Sequence, residues 1–476
     1  MNFSKKTFHP FLVLGLSLLL LVSCNKSNSE NTKSIFADFV KFESKADQSI
    51  LLTKAETKID EKIATDGLTT IQIDASKTFQ EMDGFGFTLT GGSAMLLQTK
   101  LDAKKRKEVL EELFSRKDDA VGINFLRISI GASDLDETVY SYADDSTNPN
   151  LEHFHLAYDT LYLIPTLKEI LEINPKIKIM GSPWSAPSWM KTNDSQIGGK
   201  LKPEFYQTYA SYFVKYLQAM DSHGIPIYAV TIQNEPEHPG NNPSMLMEAE
   251  EQAEFIKSNL GPAFVKEGIE TKIIIYDHNC DHPEYPITVL NDAEAAKYID
   301  GSAFHMYLGE IDAMSEVKNA HPDKNIYFTE QWTSAKGNFE DDLMWHMNTL
   351  IINGTRNWAK TVLEWNLAAD EAQRPYTSDG GCTMCLGALT IGDNFVERNV
   401  AYYIVAHASK FIPSGSIRIE SNMLENLPNV AFKTPDGETV LIVLNQNNDD
   451  QDFVIAFEDE QKIASVSGRS VASFKW

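Results

Sequence analysis

The sequence is poor in basic residues and in cysteines for its length, and both shortages narrow the possible functions. There are 42 Lys and Arg residues against 67 Asp and Glu residues, which gives a formal net charge of −25. A surface this acidic argues against binding nucleic acid and against lying flat on anionic lipid, whereas a neutral polymer such as a glycan is compatible with it. With 42% hydrophobic and 23% charged residues, the composition is that of a soluble globular protein with a sizeable core.

Several common catalytic signatures are also missing. No GxSxG is present, which excludes the usual serine-hydrolase elbow. The glycines of DGFGFTLTGG (83–92) do not complete a GxGxxG, so a dinucleotide site is not supported. His278, Asp281 and His282 in the loop DHNCDH are metal-ligand types, but their spacing is irregular and there is no HExxH. We therefore predict no metal site.

Of the four cysteines, two lie close together near the end of the chain. Cys382 and Cys385 in GGCTMC have the spacing for a local disulfide in an oxidising, exported compartment, with two free thiols as the alternative. No second CxxC or His pair lies at metal-finger spacing, so the pair does not predict a zinc site. Cys280 has no partner nearby in the sequence.

The N-terminus has the pattern of an export signal. Two lysines precede an apolar stretch, residues 11–22, which is too short to span a bilayer as a helix. The stretch ends in LVSC, which resembles a bacterial lipobox with Cys24 as the acylated first mature residue; an ordinary secretory signal with a chance cysteine is the alternative. We expect an exported lipoprotein, periplasmic or at the cell surface, whose membrane contact is only through the lipid on Cys24.

Eight short apolar segments along the chain have the form of buried strands. Their near-continuous Val and Ile runs suit a parallel sheet covered on both faces. Stretches with helical periodicity lie between several of them, at 104–114, 203–219 and 249–260. Strand and helix in repeated alternation predict an α/β fold, a (β/α)8 barrel. The eight segments are 84–89, 123–129, 177–184, 227–235, 272–279, 301–307, 325–330 and 361–366.

The C-terminal part of the chain has a different pattern, in which strand-like runs are broken by turns such as Pro-Asp-Gly at 435–437. This pattern predicts an appended antiparallel β-sandwich, to which the alternating segment 67–74 could add a strand. We expect a monomer. The predicted domains are a signal peptide (1–23), a tether (24–52), an N-terminal contribution to the sandwich (53–80), the catalytic barrel (81–411) and the C-terminal sandwich (412–476).

Two glutamates stand at the ends of predicted strands. Glu235 closes IYAVTIQNE and Glu330 closes NIYFTE, 95 positions later. A β/α unit of an eight-fold barrel takes about 30 residues, so the spacing corresponds to roughly three units and places the glutamates on strands 4 and 7. All strands of such a barrel end at one shared mouth. Two carboxylates facing each other there are the catalytic equipment of a retaining glycosidase.

Other chemically active residues stand at the same strand ends. Aromatic faces such as Trp184 and Trp365 pack on sugar rings, although core packing is the alternative for each. Asn234 could hydrogen-bond a sugar 2-hydroxyl. Arg127 by its charge and Tyr307 by a hydrogen bond could hold Glu330 ionised. The remaining rim residues are Asp277, His278, His305 and Asn366.

The motifs GFGFTLTGGSA, INFLRISIGASD, SPWSAPSWMKTN, TIQNEP, AFHMY, FTEQW and EWNLA resemble, in this order, those of glycoside hydrolase family 30, which includes the glucosylceramidases. The resemblance implies a (β/α)8 barrel with a β-sandwich built from both chain ends, and a retaining mechanism without metal or organic cofactor. It implies Glu235 as acid/base and Glu330 as nucleophile. It also implies a sugar subsite lined by Arg127, Trp184, Asn234, His305, Tyr307 and Trp365.

Departures from the family pattern bear on the substrate. Gly91 stands where glucosylceramidases usually have an Asp that binds glucose hydroxyls, and Met306 stands where they have Trp. GGCTMCLGALTI resembles the subfamily that includes endo-β-1,6-glucanases, although Leu386 replaces an expected Arg. We therefore expect a β-1,6-linked glucan as substrate. Glucosylceramide, or another β-glucoside cleaved from the chain end, is the alternative, and a non-catalytic glycan-binding lipoprotein is a remote one.

A retaining mechanism makes two demands on this pair. The carboxyl groups should lie about 5–5.5 Å apart. Glu235 must carry a proton near neutral pH, and we expect the negative charge of Glu330 to raise its pKa.

Overall fold

The computed structural model describes residues 34–55, 67–117 and 119–476. The predicted signal peptide and Cys24 lie outside these residues. Among the helices that are described, none is long and apolar enough to cross a membrane.

The strands of the described residues are numbered in chain order. They are β1 Val40–Lys45, β2 Thr53–Ala55, β3 Thr69–Glu81, β4 Gly84–Thr88, β5 Phe125–Ser129, β6 Lys178–Ser182, β7 Ala229–Thr231, β8 Lys272–Cys280, β9 Ile299–Gly309, β10 Asn325–Glu330, β11 Thr333–Ser334, β12 Ala359–Asn366, β13 Ala368–Ala369, β14 Cys385–Leu386, β15 Leu389–Gly392, β16 Phe395–Arg398, β17 Ile417–Ser421, β18 Asn429–Lys433, β19 Thr439–Asn445, β20 Gln451–Phe457, β21 Glu460–Val466 and β22 Ser470–Lys475.

The α-helices are numbered in the same way. They are α1 Gly91–Lys100, α2 Ala103–Phe114, α3 Leu163–Ile173, α4 Tyr206–Ser222, α5 Ala249–Phe255, α6 Gly261–Glu267, α7 Glu284–Asn291, α8 Ala293–Ala296, α9 Ala313–Ala320, α10 Phe339–His346 and α11 Val400–Ser409. Two π-helical segments, Ile256–Leu260 and Met347–Gly354, continue α5 and α10, and short 3-10 turns cover Ser188–Met190 and Pro203–Phe205.

Eight parallel strands close into a barrel, as predicted. The order around it is β4, β5, β6, β7, β8, β9, β10 and β12, and β12 pairs with β4 to complete the circle. Each of the eight predicted strand segments contains or overlaps one of these strands. One layer of the interior is filled by a buried side chain from each of seven strands: Phe125, Met180, Ala229, Ile274, Ala303, Tyr327 and Leu363. Because this apolar layer fills the barrel, the polar residues at the carboxyl ends of the strands meet above it.

The second domain is a nine-stranded sheet in the order β2-β1-β22-β19-β18-β17-β3-β20-β21. β20 and β22 are not neighbours in this order, yet the rings of Phe453 and Phe474 lie 5.9 Å apart. The sheet therefore folds over itself around a shared apolar core and forms a β-sandwich. The prediction of purely antiparallel pairing is wrong at one position: β20 runs parallel to β3, because β20 reaches β3 by a crossover from β19 and not by a hairpin.

The predicted tether, residues 24–52, extends too far along the chain. Within that range β1 pairs with β22 over six residues and also pairs with β2. Phe36 and Phe39 are buried against Trp476. The N-terminal contribution to the sandwich therefore begins before residue 53, because apolar side chains recur within the acidic and polar sequence that follows the lipobox.

Candidate active site

Glu330 is the last residue of β10 and its side chain is buried at the barrel mouth. Arg127, from β5, donates a hydrogen bond of 2.6 Å from Nη1 to Glu330 Oε2. The hydroxyl of Tyr307, from β9, donates one of 2.9 Å to Glu330 Oε1. Both carboxylate oxygens therefore accept from donors that favour the ionised form, as the sequence analysis predicted for these two residues.

Glu235 lies on a loop and not on a strand as predicted. β7 ends at Thr231, and Glu235 follows with a left-handed backbone (φ +47°), an uncommon conformation for a residue other than glycine. Its N–H donates to the carbonyl of Asp277 at 2.9 Å, which fixes the loop to the neighbouring strand. Asn241 Nδ2 donates to Glu235 Oε2 at 3.2 Å. β7 is short because the chain leaves the sheet after Thr231. The loop that follows turns the Glu235 carboxylate into the mouth of the barrel.

The two carboxylates face each other. An oxygen of Glu235 and an oxygen of Glu330 lie within 4.8 Å of one another, and both lie close to His305 Nδ1. The nitrogen is 3.2 Å from Glu235 Oε1 and 3.7 Å from Glu330 Oε1. This separation fits the about 5–5.5 Å between carboxyl groups in retaining glycosidases and is shorter than the about 6.5–9.5 Å that inverting enzymes need for a water molecule.

A fully buried aspartate, Asp277, holds the site together from below. Its Oδ2 accepts from Arg127 Nη2 at 2.8 Å, and also from the hydroxyls of Ser182 and Thr231. Its Oδ1 accepts from Thr329 Oγ1 at 2.7 Å and lies 3.1 Å from His305 Nε2. Although burial raises its pKa, the charge of Arg127 and the hydrogen bond from His305 hold the pKa of Asp277 well below its usual range. The sequence predicts Asp277 at the rim but indicates no role for it.

Asp277 reaches this position through local backbone irregularity. Tyr276 and Asp277 both have positive φ, +71° and +65°, and the pairing of β8 with β9 shifts register between Tyr276 and His278. Two successive left-handed residues turn the carboxylate toward the barrel axis. Strained backbone of this kind clusters at functional sites.

His305 links Asp277 to the two glutamates. Its ring is fully buried, with Nε2 beside Asp277 and Nδ1 beside Glu235. Burial opposes a positive charge on this ring, but the charge of Glu330 and the hydrogen bonds with Asp277 and Glu235 raise the pKa of His305 to about 9. The imidazole is therefore a cation at neutral pH when Glu235 is ionised.

The proximity of His305 changes what we expected of Glu235. Burial raises the pKa of Glu235, but the hydrogen bond and charge of His305 outweigh it, so the pKa lies below its usual value. For Glu330 burial also raises the pKa, the charges of His305 and Arg127 oppose this, and the charge of Glu235 adds to it, with a net rise. The expected rise in the pKa of Glu235 is therefore wrong, because the hydrogen bond and charge of His305 lower it.

The predicted aromatic residues form the wall of the site. The rings of Trp184 and Trp365 stack with centroids 5.3 Å apart, and the Arg127 guanidinium lies 4.7 Å from the Trp184 centroid. Both indoles are almost fully buried, and both line a cavity of about 390 Å³ together with Glu235, Tyr307 and Glu330. The sequence leaves two alternatives for each tryptophan, core packing or a position in the site. The structure shows both, because each indole is buried and also lines the cavity.

The other two predicted binding residues, Asn234 and His305, lie behind the carboxylates: Asn234 contacts Arg127, and His305 contacts Glu235. Asn234 Oδ1 accepts a hydrogen bond of 2.6 Å from Arg127 Nη2, and His305 reaches Glu235 from within the barrel. The structure thus brings all eight predicted catalytic and binding residues together at one mouth.

Asp134, in the loop after β5, was not among the predicted site residues, and its buried carboxyl lines the same cavity. Burial and the charges of Glu330 and Glu235 raise the pKa of Asp134 to about 8, so it is largely uncharged at neutral pH. Its position at the end of the motif INFLRISIGASD was the available signal. Asn241, Leu308 and Trp332 also line the cavity and were not predicted: Asn241 and Trp332 lie on loops, and Leu308 lies near the end of β9.

Cys382 and Cys385 form a disulfide, and both residues line the cavity. The segment around them is held on two sides. β14 pairs with β11, which follows Glu330 closely in the chain. Thr377 N donates to the carbonyl of Asp134 at 2.9 Å. The disulfide therefore belongs to the wall of the site, which the sequence did not indicate.

Two further expectations concern residues outside this cavity. Gly91, interpreted as a substrate marker, lines a second cavity instead, and a Cβ there would lie 1.7 Å from Asp136 Oδ1.

The residues of metal-ligand type in DHNCDH do not converge: His282 pairs with Glu237, away from the centre of the site. In the described part of the chain the one group with metal-like spacing is Glu235, His305 and Glu330, whose atoms are already bonded to Arg127, Tyr307 and Asn241.

Comparison with known proteins decides the family. The model described as "Glycosyl hydrolase family 30 TIM-barrel domain" matches residues 82–412, and that of the family 30 beta sandwich domain matches 415–474. The chain belongs to glycosyl hydrolase family 30. It is a glycoside hydrolase.

The relatives within the family carry two different activities. The chain is 33% identical to an endo-1,6-beta-D-glucanase of Aspergillus fumigatus over 83% of its own length and 84% of that protein's. It is 30% identical to the lysosomal acid glucosylceramidase of Mus musculus over 85% and 83% of the two chains. A solved endo-beta1,6-glucanase superposes with a TM-score of 0.86 at 34% identity, covering 92% of this chain and 99% of that one.

Proposed function

We propose that this family 30 enzyme is a retaining endo-β-1,6-glucanase in which Glu330 is the nucleophile and Glu235 the acid/base. The observation that carries the mechanism is the short separation of the two carboxylates, within 4.8 Å between oxygens. Inverting enzymes hold the two carboxyl groups about 6.5–9.5 Å apart to admit a water molecule, whereas retaining enzymes hold them about 5–5.5 Å apart. Which glutamate is the nucleophile and which the acid/base is inferred from the hydrogen-bond partners of Glu330 and Glu235.

Glu330 suits the nucleophile because Arg127 and Tyr307 bind both of its oxygens. These donors orient the carboxylate and favour its charged form. In the first step Glu330 attacks the anomeric carbon while Glu235 protonates the departing glycosidic oxygen. The product is a covalent glycosyl-enzyme and a free reducing-end fragment.

The proton for this step is available on His305. Transfer from His305 Nδ1 to Glu235 Oε1, 3.2 Å away, converts an ion pair into a neutral acid and a neutral imidazole without changing the net charge of the site. The neutral imidazole keeps its other proton on Nε2, which donates to Asp277 Oδ1. Bound substrate, by excluding water, favours the neutral pair, since separated charges are costly in a low dielectric.

The second step reverses the roles. Once Glu330 is esterified its negative charge is gone, and Glu235, now ionised, removes a proton from the incoming water. Attack by that water releases the sugar with its original anomeric configuration. The proton taken from water then passes from Glu235 Oε1 to His305 Nδ1, which restores the ion pair for the next turnover.

The substrate assignment rests on the relatives and on the sequence around the cavity wall. Endo-1,6-beta-D-glucanases of Aspergillus fumigatus, Trichoderma harzianum and Neurospora crassa are 32–33% identical to this chain. The segment GGCTMC, which gave the resemblance to this subfamily, supplies the disulfide that lines the cavity. Glucosylceramidases at 29–32% identity support the second candidate, a glucosylceramidase or exo-acting β-glucosidase.

The substrate test is incubation of the mature chain with linear β-1,6-glucan and, separately, with glucosylceramide, with the products resolved by size. Oligosaccharides of several lengths from the glucan are expected. Glucose as sole product from the glucan would show exo action, and cleavage of the lipid alone would replace this substrate assignment by the second candidate. Glu330→Gln is the control, and turnover by that variant would refute the role of Glu330.

We also propose that the mature protein is a lipoprotein anchored through Cys24 and exported from the cytoplasm. The lipobox-like LVSC and the polar segment after it support this. Labelling of cells with a clickable fatty acid should mark the wild-type protein but not Cys24→Ala. Equal labelling of both would contradict lipidation at this residue.

A further inference from the structure

A second cavity, of about 170 Å³, lies beside the catalytic one. It is lined by the start of α1 and by the long connection between β5 and α3, both at the carboxyl ends of barrel strands. Asp134 lines the catalytic cavity and Asp136 lines this one. Their Cα atoms lie within about 7.6 Å of each other, since consecutive Cα atoms are 3.8 Å apart.

The second cavity carries an exposed aromatic platform. Tyr158 is 47% exposed, and its ring stacks on that of Tyr140 with centroids 4.3 Å apart and an angle of 20° between planes. Tyr140 is buried, and its hydroxyl donates to Asp159 at 2.9 Å. The inner ring is therefore fixed, and it holds the outer ring in one orientation.

A buried carboxylate faces the same cavity. Asp136 is 5% exposed, and its Oδ2 accepts from both the N–H and the hydroxyl of Ser133. Its Oδ1 has no hydrogen-bond donor among the described residues. Gly91 is what leaves room for this oxygen, because any Cβ at that position would overlap it. The cavity thus presents an unused acceptor next to an aromatic face.

These features distinguish a sugar from the other ligands that an acidic cavity can take. A divalent cation needs about six or more oxygen ligands, whereas both oxygens of Asp159 are occupied by Tyr140 and Tyr142. An anion finds no basic side chain among the described residues that line this cavity, which include Asp136, Glu137 and Asp159. A neutral polyhydroxyl ligand satisfies the site, with a hydroxyl donating to Asp136 Oδ1 and a C–H face on Tyr158.

We propose that this cavity, with Tyr158 as its platform, is an additional glycan-binding site that holds a stretch of the glucan chain outside the catalytic cavity. The inference rests on the proposed function for the identity of the glycan. Because the two cavities share the segment 133–136, a polymer bound at one is kept at high local concentration near the other. Short substrates that fill only the catalytic cavity gain nothing from it.

The test compares Tyr158→Ala with the wild-type enzyme on linear β-1,6-glucan and on a small aryl β-glucoside. Loss of an aromatic contact should raise KM for the polymer by about 3- to 10-fold, with kcat and all constants for the small substrate unchanged. Tyr158→Trp, which keeps an aromatic face, should retain the wild-type KM. Trp345→Ala is the matched control, since Trp345 is 40% exposed and lies on α10.

An unchanged polymer KM in Tyr158→Ala would overturn the proposal, as would an equal rise in Trp345→Ala. If the wild-type enzyme does not cleave β-1,6-glucan, the substrate assignment fails on its own account. Affinity electrophoresis in gels containing the same glucan then tests the site separately. Slower migration of the wild type than of Tyr158→Ala supports the site, and identical migration overturns it.

Discussion

Arg127 Nη1 lies 2.6 Å from Glu330 Oε2, and the same guanidinium contacts Asp277 at 2.8 Å through Nη2. A single buried cation thus holds the proposed nucleophile and the aspartate beneath it in fixed geometry. Planar guanidinium groups are suited to this because they present several donors in a rigid fork. The charge of Arg127 favours the ionised form of Glu330 and opposes the rise in pKa that burial causes.

The hydroxyl of Tyr307 is expected to set the acid limb of the pH profile. It donates to Glu330 Oε1 at 2.9 Å and so favours the carboxylate. Tyr307→Phe removes this donor and raises the pKa of Glu330, so activity should be lost at a higher pH as the solution is acidified. The measurement is kcat/KM against pH for both proteins. An acid limb that stays in place or moves to lower pH would contradict this account.

The charge on His305 should appear as a pH-dependent contribution to stability. Its pKa is about 9 in the folded protein and about 6.5 in an unfolded chain. The folded state therefore binds this proton more tightly, so the stabilisation is complete below about pH 6.5 and is lost as pH rises through 9. The titratable groups beside the ring are Glu235, Asp277 and Glu330, and the imidazole of His278 also interacts with it.

Denaturant unfolding of wild type and His305→Asn, at several pH values from 6 to 9.5, measures this contribution. The difference in free energy of unfolding between the two proteins should shrink as pH rises. A difference that is constant with pH would show that His305 contributes only packing.

The disulfide in the cavity wall is expected to affect binding more than chemistry. Cys382→Ser/Cys385→Ser frees the segment that contacts Asp134 and Trp365 but leaves Glu235 and Glu330 in place. Ordering that segment on substrate binding then costs free energy. We expect KM to rise by about 10-fold, equivalent to about 1.4 kcal/mol, with kcat within about 2-fold.

Cys280→Ser is the matched control for this experiment, because Cys280 is a buried free thiol outside the catalytic cavity. A fall in kcat in the double variant with KM unchanged would show that the disulfide supports the catalytic carboxylates directly. Equal effects in Cys280→Ser would assign the result to general loss of stability.

The sequence predicts the barrel well because the pattern that indicates it, a short apolar run for each strand, is local and recurs along the chain. Each strand is a continuous apolar run, and Glu330 sits at the end of one of them. The run IYAVTIQNE predicts a strand as far as Glu235, whereas only Ala229–Thr231 pairs in the sheet. The left-handed turns at Glu235 and Asp277 depend on contacts between distant segments, which no local pattern records.

The features that were missed are those built from three-dimensional contacts. Asp277 gathers donors from five different strands, and its importance is visible only once those strands are neighbours. The sequence around β1 predicts a tether and not a strand, because the partner of β1 in the sheet, β22, is the last strand of the chain. Burial of Phe36 and Phe39 against Trp476 likewise joins residues from opposite ends of the sequence.

The most direct test of the account is the anomeric configuration of the first product released from linear β-1,6-glucan, followed by proton NMR before mutarotation. Carboxylate oxygens within 4.8 Å predict a double displacement, so the β-anomer should appear first and the α-anomer only later. Initial appearance of the α-anomer would mean a single displacement with inversion, and would contradict the assignment of Glu330 as nucleophile.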